Sequence, residues 1–200
     1  DALPTIYVTD GHEYIRYGRM VEIMDKLIKS GKMKPVVAIF VDPRDPDNLR
    51  INRRVDEYHC NQDYGKFYAN ELIKTIETNF PVSENRNDRV IQGTSSGGVN
   101  AACFGLYEYN SFAGLSMHSP SHTRIIGMLK KEYNKIERLP LKMFISVGNV
   151  SDSRITVRRF KSVLKAKGYE INYKQVNKNH DWDNWRPLID DALLTFFAVR

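Results

Sequence analysis

Only two cysteines occur among the 200 residues. They are too few for a disulfide framework, and neither lies in the C-x-x-C spacing that builds structural zinc sites. Twelve glycines and eight prolines are too few for collagen-like or linker-like sequence. The longest stretch without charge, Val90 to Tyr107, is interrupted by Gln92, Thr94, Ser95, Ser96, Asn100 and four glycines, so it cannot cross a bilayer as a helix. The opening residues do not read as a signal peptide or a lipidation motif, and no repeat or low-complexity segment interrupts the chain. Long basic runs are also missing. The net charge is +6 and the pI about 9.2, yet the densest cluster, Arg50, Arg53 and Arg54, is broken by Ile51 and Asn52. A solvated basic face is therefore expected, with no nucleic-acid and no membrane partner. What is present is ordinary soluble usage, 42% apolar and 27% charged, enough for one core and a single domain over residues 1–200.

Short β-rich runs alternate with helical patterns. Thr5 to Thr9 reads as a strand that stops at Asp10-Gly11. Met20, Ile23, Met24 and Leu27 have helical spacing, and Gly31 closes that helix. Val36 to Val41 is uniformly apolar, which predicts a strand covered on both faces. A polar loop runs to about Asp63, and a helix with Ala69, Leu72, Ile73, Ile76 and Phe80 on one stripe ends at Pro81. Strands follow at Arg89–Gln92, Phe112–Met117, Met143–Val147 and Ile171–Val176, separated by helices over Val99–Tyr107, Arg124–Ile136 and Ile155–Lys167. A last helix carries Leu188, Ile189, Ala192, Leu193, Phe196 and Phe197 on one face. This alternation predicts an α/β domain: a mostly parallel, doubly wound sheet with helices on both faces. The chain enters directly on a buried-looking strand, so an exposed edge or leading N-terminal strands missing from this sequence are expected.

The sharpest chemical signal is Gly93-Thr94-Ser95-Ser96-Gly97, a G-x-S-x-G between a predicted strand and a predicted helix. Such a turn lifts a serine Oγ above the sheet edge, and the residues two before and two after it meet neighbouring backbone. Ser95 has the symmetric glycines and is the expected nucleophile, with a structural turn serine as the alternative. Ser96 would then offer its N–H to an oxyanion, and Gly11 or His12, in the loop after the first strand, a second N–H. The order serine, acid, histidine of α/β-hydrolases selects His180, between the last strand and last helix. His118 and His122 either line the pocket or are plain loop residues, and His59 sits in the long loop. Asp152 is the sole acid between the strand ending at Val147 and the end of the next helix. It is either the third member of a triad or a helix N-cap. Asp181 and Asp183 read as caps of the final helical segment.

Four segments together resemble the enterochelin-esterase-like, or esterase-D-like, serine esterases of the α/β-hydrolase superfamily, which include siderophore, feruloyl and acetyl-xylan esterases. They are Tyr7-Val8-Thr9-Asp10-Gly11, Val41-Asp42-Pro43, Gly93 to Gly98, and His180-Asp181-Trp182-Asp183-Asn184-Trp185-Arg186. The resemblance implies a Ser95–Asp152–His180 triad. It departs from the family at Ser96, where methionine is frequent, and in lacking a leading antiparallel strand pair. It also implies a small-molecule or polysaccharide ester as substrate, no metal or organic cofactor, and a secreted or periplasmic setting. The Arg-rich loop offers Arg54 either to the substrate or to Glu57 as a pin, and Trp182 with Trp185 offers either an aromatic wall or packing. Cys60 and Cys103 carry no catalytic case, Cys103 being expected buried in the helix after Ser95. An acyltransferase and a non-catalytic carbohydrate-binding relative are the alternative functions.

Overall fold

A computed structural model describes residues 2–199. Along the chain the regular elements are β1 (Thr5–Val8), α1 (Gly11–Arg16), α2 (Met20–Lys29), β2 (Val37–Phe40), α3 (Arg54–Tyr58), α4 (Gln62–Phe67) and α5 (Ile73–Asn79). They continue with β3 (Arg89–Thr94), α6 (Ser96–Tyr107), β4 (Gly114–His118), α7 (Thr123–Lys135), β5 (Lys142–Gly148), α8 (Arg154–Ala166), β6 (Glu170–Val176), α9 (Trp182–Trp185) and α10 (Ile189–Phe197). The strands form one parallel sheet in the order β2-β1-β3-β4-β5-β6. The chain steps from β1 to one side and then returns past it to β3. That reversal makes the carboxyl ends of β1 and β3 the natural place for a ligand in a doubly wound sheet.

Side chains alternate across the sheet and feed two cores. Tyr7, Ile91, Leu115, Met143 and Ile145 join Val99, Phe104, Leu129 and Phe160 on the face covered by α4 to α8. Ile6, Val8 and Val90 join Met20, Met24, Leu27, Ile189 and Leu193 on the face covered by α2 and α10. The period of two in each strand and the apolar stripe of each helix meet in these two layers, as the doubly wound reading requires.

Three local expectations are corrected. The strand read as covered on both faces, β2, does pack on both, but it lies at the sheet edge and each of its residues is only partly buried. Its apolar run reflects packing on both faces, Ile39 against the first core and Ala38 and Phe40 against the second, while one flank remains unpaired. β1, which enters the chain first, is internal. In the helix ending before Pro81, a π-type turn over Tyr68–Leu72 lies between α4 and α5. The extra residue in that turn adds Tyr64 and Tyr68 to the buried side with Ile73; Leu72 and Ile76 pack against the core as expected, and Phe80 is exposed. Finally, the two cysteines are joined. Cys60–Cys103 links the segment after α3 to α6 across 43 residues, a pairing that no short-range spacing announces.

Closing a loop of that length is worth about 4 kcal/mol in the chain-entropy description, about 2–4 in practice. Urea unfolding with and without a thiol reductant should show a loss of that size. An unchanged midpoint would mean that the bridge contributes nothing to stability.

Candidate active site

Ser95 occupies the turn between β3 and α6, at the reversal point of the sheet. Its backbone has φ 55° and ψ −118°, a conformation that residues with a side chain rarely adopt and that packing must enforce. Its N–H donates to the His118 carbonyl at 2.8 Å, and its carbonyl accepts from Val99 N–H at 3.1 Å. A Cβ on Gly93 would overlap the backbone of Gly97 and the Thr9 hydroxyl, and a Cβ on Gly97 would press on the same hydroxyl. The two glycines thus allow strand and helix to close tightly enough to hold the strained serine.

His180 lies in the loop between β6 and α9, with Nε2 2.8 Å from Ser95 Oγ and Nδ1 2.7 Å from Asp152 Oδ1. Asp152 follows β5, and its side chain has no exposed surface. Its Oδ1 also accepts from the Ser153 N–H at 2.6 Å. Its Oδ2 accepts from Ser119 Oγ at 2.6 Å, Gly148 N–H at 2.7 Å and Asn184 Nδ2 at 3.2 Å. Burial works to raise its pKa, but the donors from His180, Ser119, Gly148 and Ser153 outweigh it and hold the carboxyl below its ordinary value. The residue in the cap position of α8 is Ser153, not Asp152.

The shell around this relay includes residues that were not singled out from sequence. Ser119, at φ 44°, donates to Asp152 while accepting from Trp185 Nε1 at 2.9 Å. The Trp185 indole meets the His180 ring edge-on at 5.0 Å, and Asn184 also donates to the Asn179 carbonyl at 2.8 Å. Asp181 caps α9 by accepting from Asn184 N–H. The signal was in His180-Asp181-Trp182-Asp183-Asn184-Trp185: a helical turn that starts just after the histidine returns its fourth and fifth residues to the site.

Other named residues take different places. Ser96 opens α6, whose first N–H groups have no intrahelical acceptor, and its Oγ lies 3.3 Å from His59 Nε2. Gly11 is not free to act as a donor, because its N–H is spent on the Val41 carbonyl at 2.8 Å. The N–H of His12 has no backbone acceptor among the described residues, and its imidazole stands 3.3 Å from Asp42. Arg54 pairs with Asp10 rather than Glu57, with Nε 2.8 and 3.0 Å from the two carboxylate oxygens and Nη2 3.2 Å from the Thr94 carbonyl. Contact with both oxygens of the buried Asp10 carboxylate outcompetes the partly buried Glu57 on the same helix. Burial pushes the Asp10 carboxyl up, and Arg54 opposes that shift. Trp182 packs edge-on against Tyr14 at 5.1 Å and donates to Glu13 at 3.3 Å, so it belongs to the core beneath α1. His118 is fully buried, its Nδ1 3.0 Å from Ser146 Oγ, and burial lowers its pKa to about 3. Among the described residues no three His, Cys, Asp or Glu side chains gather to hold a metal ion, and no helix is long and apolar enough to cross a membrane.

Comparison with known proteins gives this geometry its family. The model of the family named Esterase, described as "Putative esterase", matches residues 1–196. The chain belongs to the Esterase family. Carboxylic-ester hydrolysis is the activity that membership carries. Relatives of the esterase include the Bacillus subtilis (strain 168) protein YjcH, 25% identical over 94% of this chain and 82% of that protein. An acetyl esterase of Caldicellulosiruptor saccharolyticus is 23% identical over 95% of this chain and 82% of its own length. The fold is similar to that of the Shigella flexneri enterobactin esterase FES, with TM-score 0.87, 20% identity and 98% of this chain covered. The match takes in 53% of that chain, so the esterase spans about half the length of this structural relative.

Two stability predictions follow from the buried charges of the esterase. Arg54→Gln strands the Asp10 carboxylate and should cost about 2–4 kcal/mol in urea unfolding. Adding Asp10→Asn should recover most of the loss, and a purely additive double variant would show that the pair is not coupled. His118 is neutral when folded and charges when unfolded, so the unfolded chain binds the extra proton below its ordinary pKa of about 6.5. Its contribution is complete above that pH and is lost, at up to about 1.4 kcal/mol per pH unit, as pH falls toward the folded value of about 3. Unfolding at pH 7 and pH 5 should show a smaller acid loss in His118→Gln than in the parent.

Proposed function

We propose that the esterase works through an acyl-enzyme on Ser95, and the observation supporting this is the unbroken hydrogen-bond chain Ser95–His180–Asp152. Asp152, held ionised by its donors, fixes the proton on His180 Nδ1 and leaves Nε2 as the acceptor. Ser95 Oγ attacks the ester carbonyl carbon while its proton passes to His180 Nε2. The negative charge on the carbonyl oxygen is met by the N–H of Ser96, reinforced by the dipole of α6, and by the N–H of His12. The carbon–oxygen bond then breaks as His180 returns the proton to the departing alcohol. Water repeats the sequence, freeing the acid and restoring Ser95. No cofactor enters these steps.

The substrate is assigned to the siderophore, phenolic or carbohydrate esters. Supporting this range are the relatives whose names give enterobactin, ferulic acid and acetyl esters as the groups handled. Transfer of the acyl group to an added alcohol instead of water would move the reading to an acyltransferase, since every residue above is shared.

Ser95→Ala should lower hydrolysis of 4-nitrophenyl acetate by about 10^4-fold or more and abolish fluorophosphonate labelling, with an unchanged circular dichroism spectrum. Full activity in that variant would end the proposal. Asp152→Asn should lower kcat by roughly 10^3–10^4-fold, because the imidazole then adopts the wrong tautomer.

A further inference from the structure

Beside the serine turn lies a cavity of about 580 Å³ that the reaction steps leave unused, lined by His59, Tyr107, His122, Arg124, Ile125 and Met128. Two of its lining residues connect it to the serine turn. His59 Nε2 is 3.3 Å from the Oγ of Ser96, and His122 adjoins Ser121, whose N–H reaches the Ser95 carbonyl at 3.4 Å. A group seated here therefore lies beside the turn that carries Ser95.

The lining has a definite chemistry. The His59 and His122 rings meet edge-on with centroids 4.5 Å apart. His122 Nδ1 accepts from the Ile125 N–H at 3.4 Å, which leaves its Nε2 as a donor. His122 also caps the N-terminus of α7, a helix of 13 residues, so the positive end of that dipole faces the same region. Arg124 takes part in none of the arginine ion pairs among the described residues. No carboxylate lines the cavity. Burial, then His122 and Arg54, lower the His59 pKa, with only Asp56 acting the other way. Hydrogen-bond donors thus collect here, and the lining itself offers no carboxylate to answer them, Asp56 acting on His59 from outside it. Ile125, with Tyr107 and Met128, both more than a third exposed, supplies an apolar wall.

We infer that this cavity is the subsite for a carboxylate carried on the aromatic or aliphatic body of the ester, so that the enzyme selects acidic esters over neutral ones. The inference rests on Ser95 as the reacting residue for its link to turnover, whereas the binding it asserts stands apart from catalysis. The carboxylate would pair with Arg124 and accept from His122 Nε2, a ring that His59 holds in place edge-on at 4.5 Å, and the body of the ester would lie against Ile125 and Met128.

The test is titration calorimetry of 4-hydroxybenzoate against its methyl ester, on the parent protein, Ser95→Ala, Arg124→Gln and His59→Gln. The carboxylate should bind at least 10-fold more tightly than the methyl ester in the parent and in Ser95→Ala. That preference should fall below threefold in Arg124→Gln or in His59→Gln. Equal affinities in the parent, undetectable binding of the carboxylate, or a preference undiminished in both variants would overturn the inference. Hydrolysis of 4-acetoxybenzoate and its methyl ester provides the second readout: the ratio of their kcat/KM values should drop by the same factor in Arg124→Gln. Residual full turnover by Ser95→Ala would count against the nucleophile and leave the binding comparison intact.

Discussion

Five donors converge on the Asp152 carboxylate: an imidazole, a hydroxyl, a side-chain amide and two backbone N–H groups. A buried carboxylate left short of partners would be costly, and this one is satisfied on both oxygens. Its donors come from the ends of β4 and β5, the start of α8 and the segment around α9, so the carboxylate fixes four pieces of chain relative to one another. The position of His180, and hence its reach to Ser95, depends on that convergence. Trp185 and Ser119 extend the same arrangement one layer outward, with an indole N–H satisfying the hydroxyl that in turn satisfies the acid.

A second anchor works from the opposite side of the serine. Asp10 sits at the end of β1 in a left-handed conformation, bonded through its N–H to the Tyr58 hydroxyl and through its carboxylate to Arg54, which also reaches the Thr94 carbonyl. The long loop after β2 is thereby fastened to the strand that carries the nucleophile. The Cys60–Cys103 link fastens the same loop to α6. Ionic and covalent ties therefore hold one segment, which also supplies His59 to the wall of the neighbouring cavity.

The layered architecture was legible because parallel strands and amphipathic helices leave strong periodic marks. All six strands lie where apolar runs and turn signals place them, and the glycines around Ser95 report the geometry of the turn directly. What escaped was decided by contacts between residues distant in sequence. Nothing near Arg54 says that Asp10, 44 positions earlier, is a better partner than Glu57, and nothing in the spacing of Cys60 and Cys103 brings them together. Gly11 illustrates a subtler failure. The loop is legible, but which of its N–H groups stays unpaired depends on the carbonyl of Val41, just past the end of β2. Trp182 and Trp185 stand three residues apart with the same chemistry, and only packing decides that one braces the imidazole while the other fills the core under α1.

The helical segment from Gln62 to Asn79 carries its own constraint through the π-type turn at Tyr68–Leu72. Tyr68 is fully buried there, in contact with the Tyr64 hydroxyl at 3.2 Å and edge-on to Phe104 at 5.0 Å. Were the wide turn wound as ordinary α-helix with no residue removed, Ile73 would stand about 140° from Tyr68 around the axis. Ile73 would then leave the interior and a solvated neighbour would enter it. The local irregularity is therefore the phase adjustment that lets one continuous rod present two successive inward-facing surfaces to the same sheet.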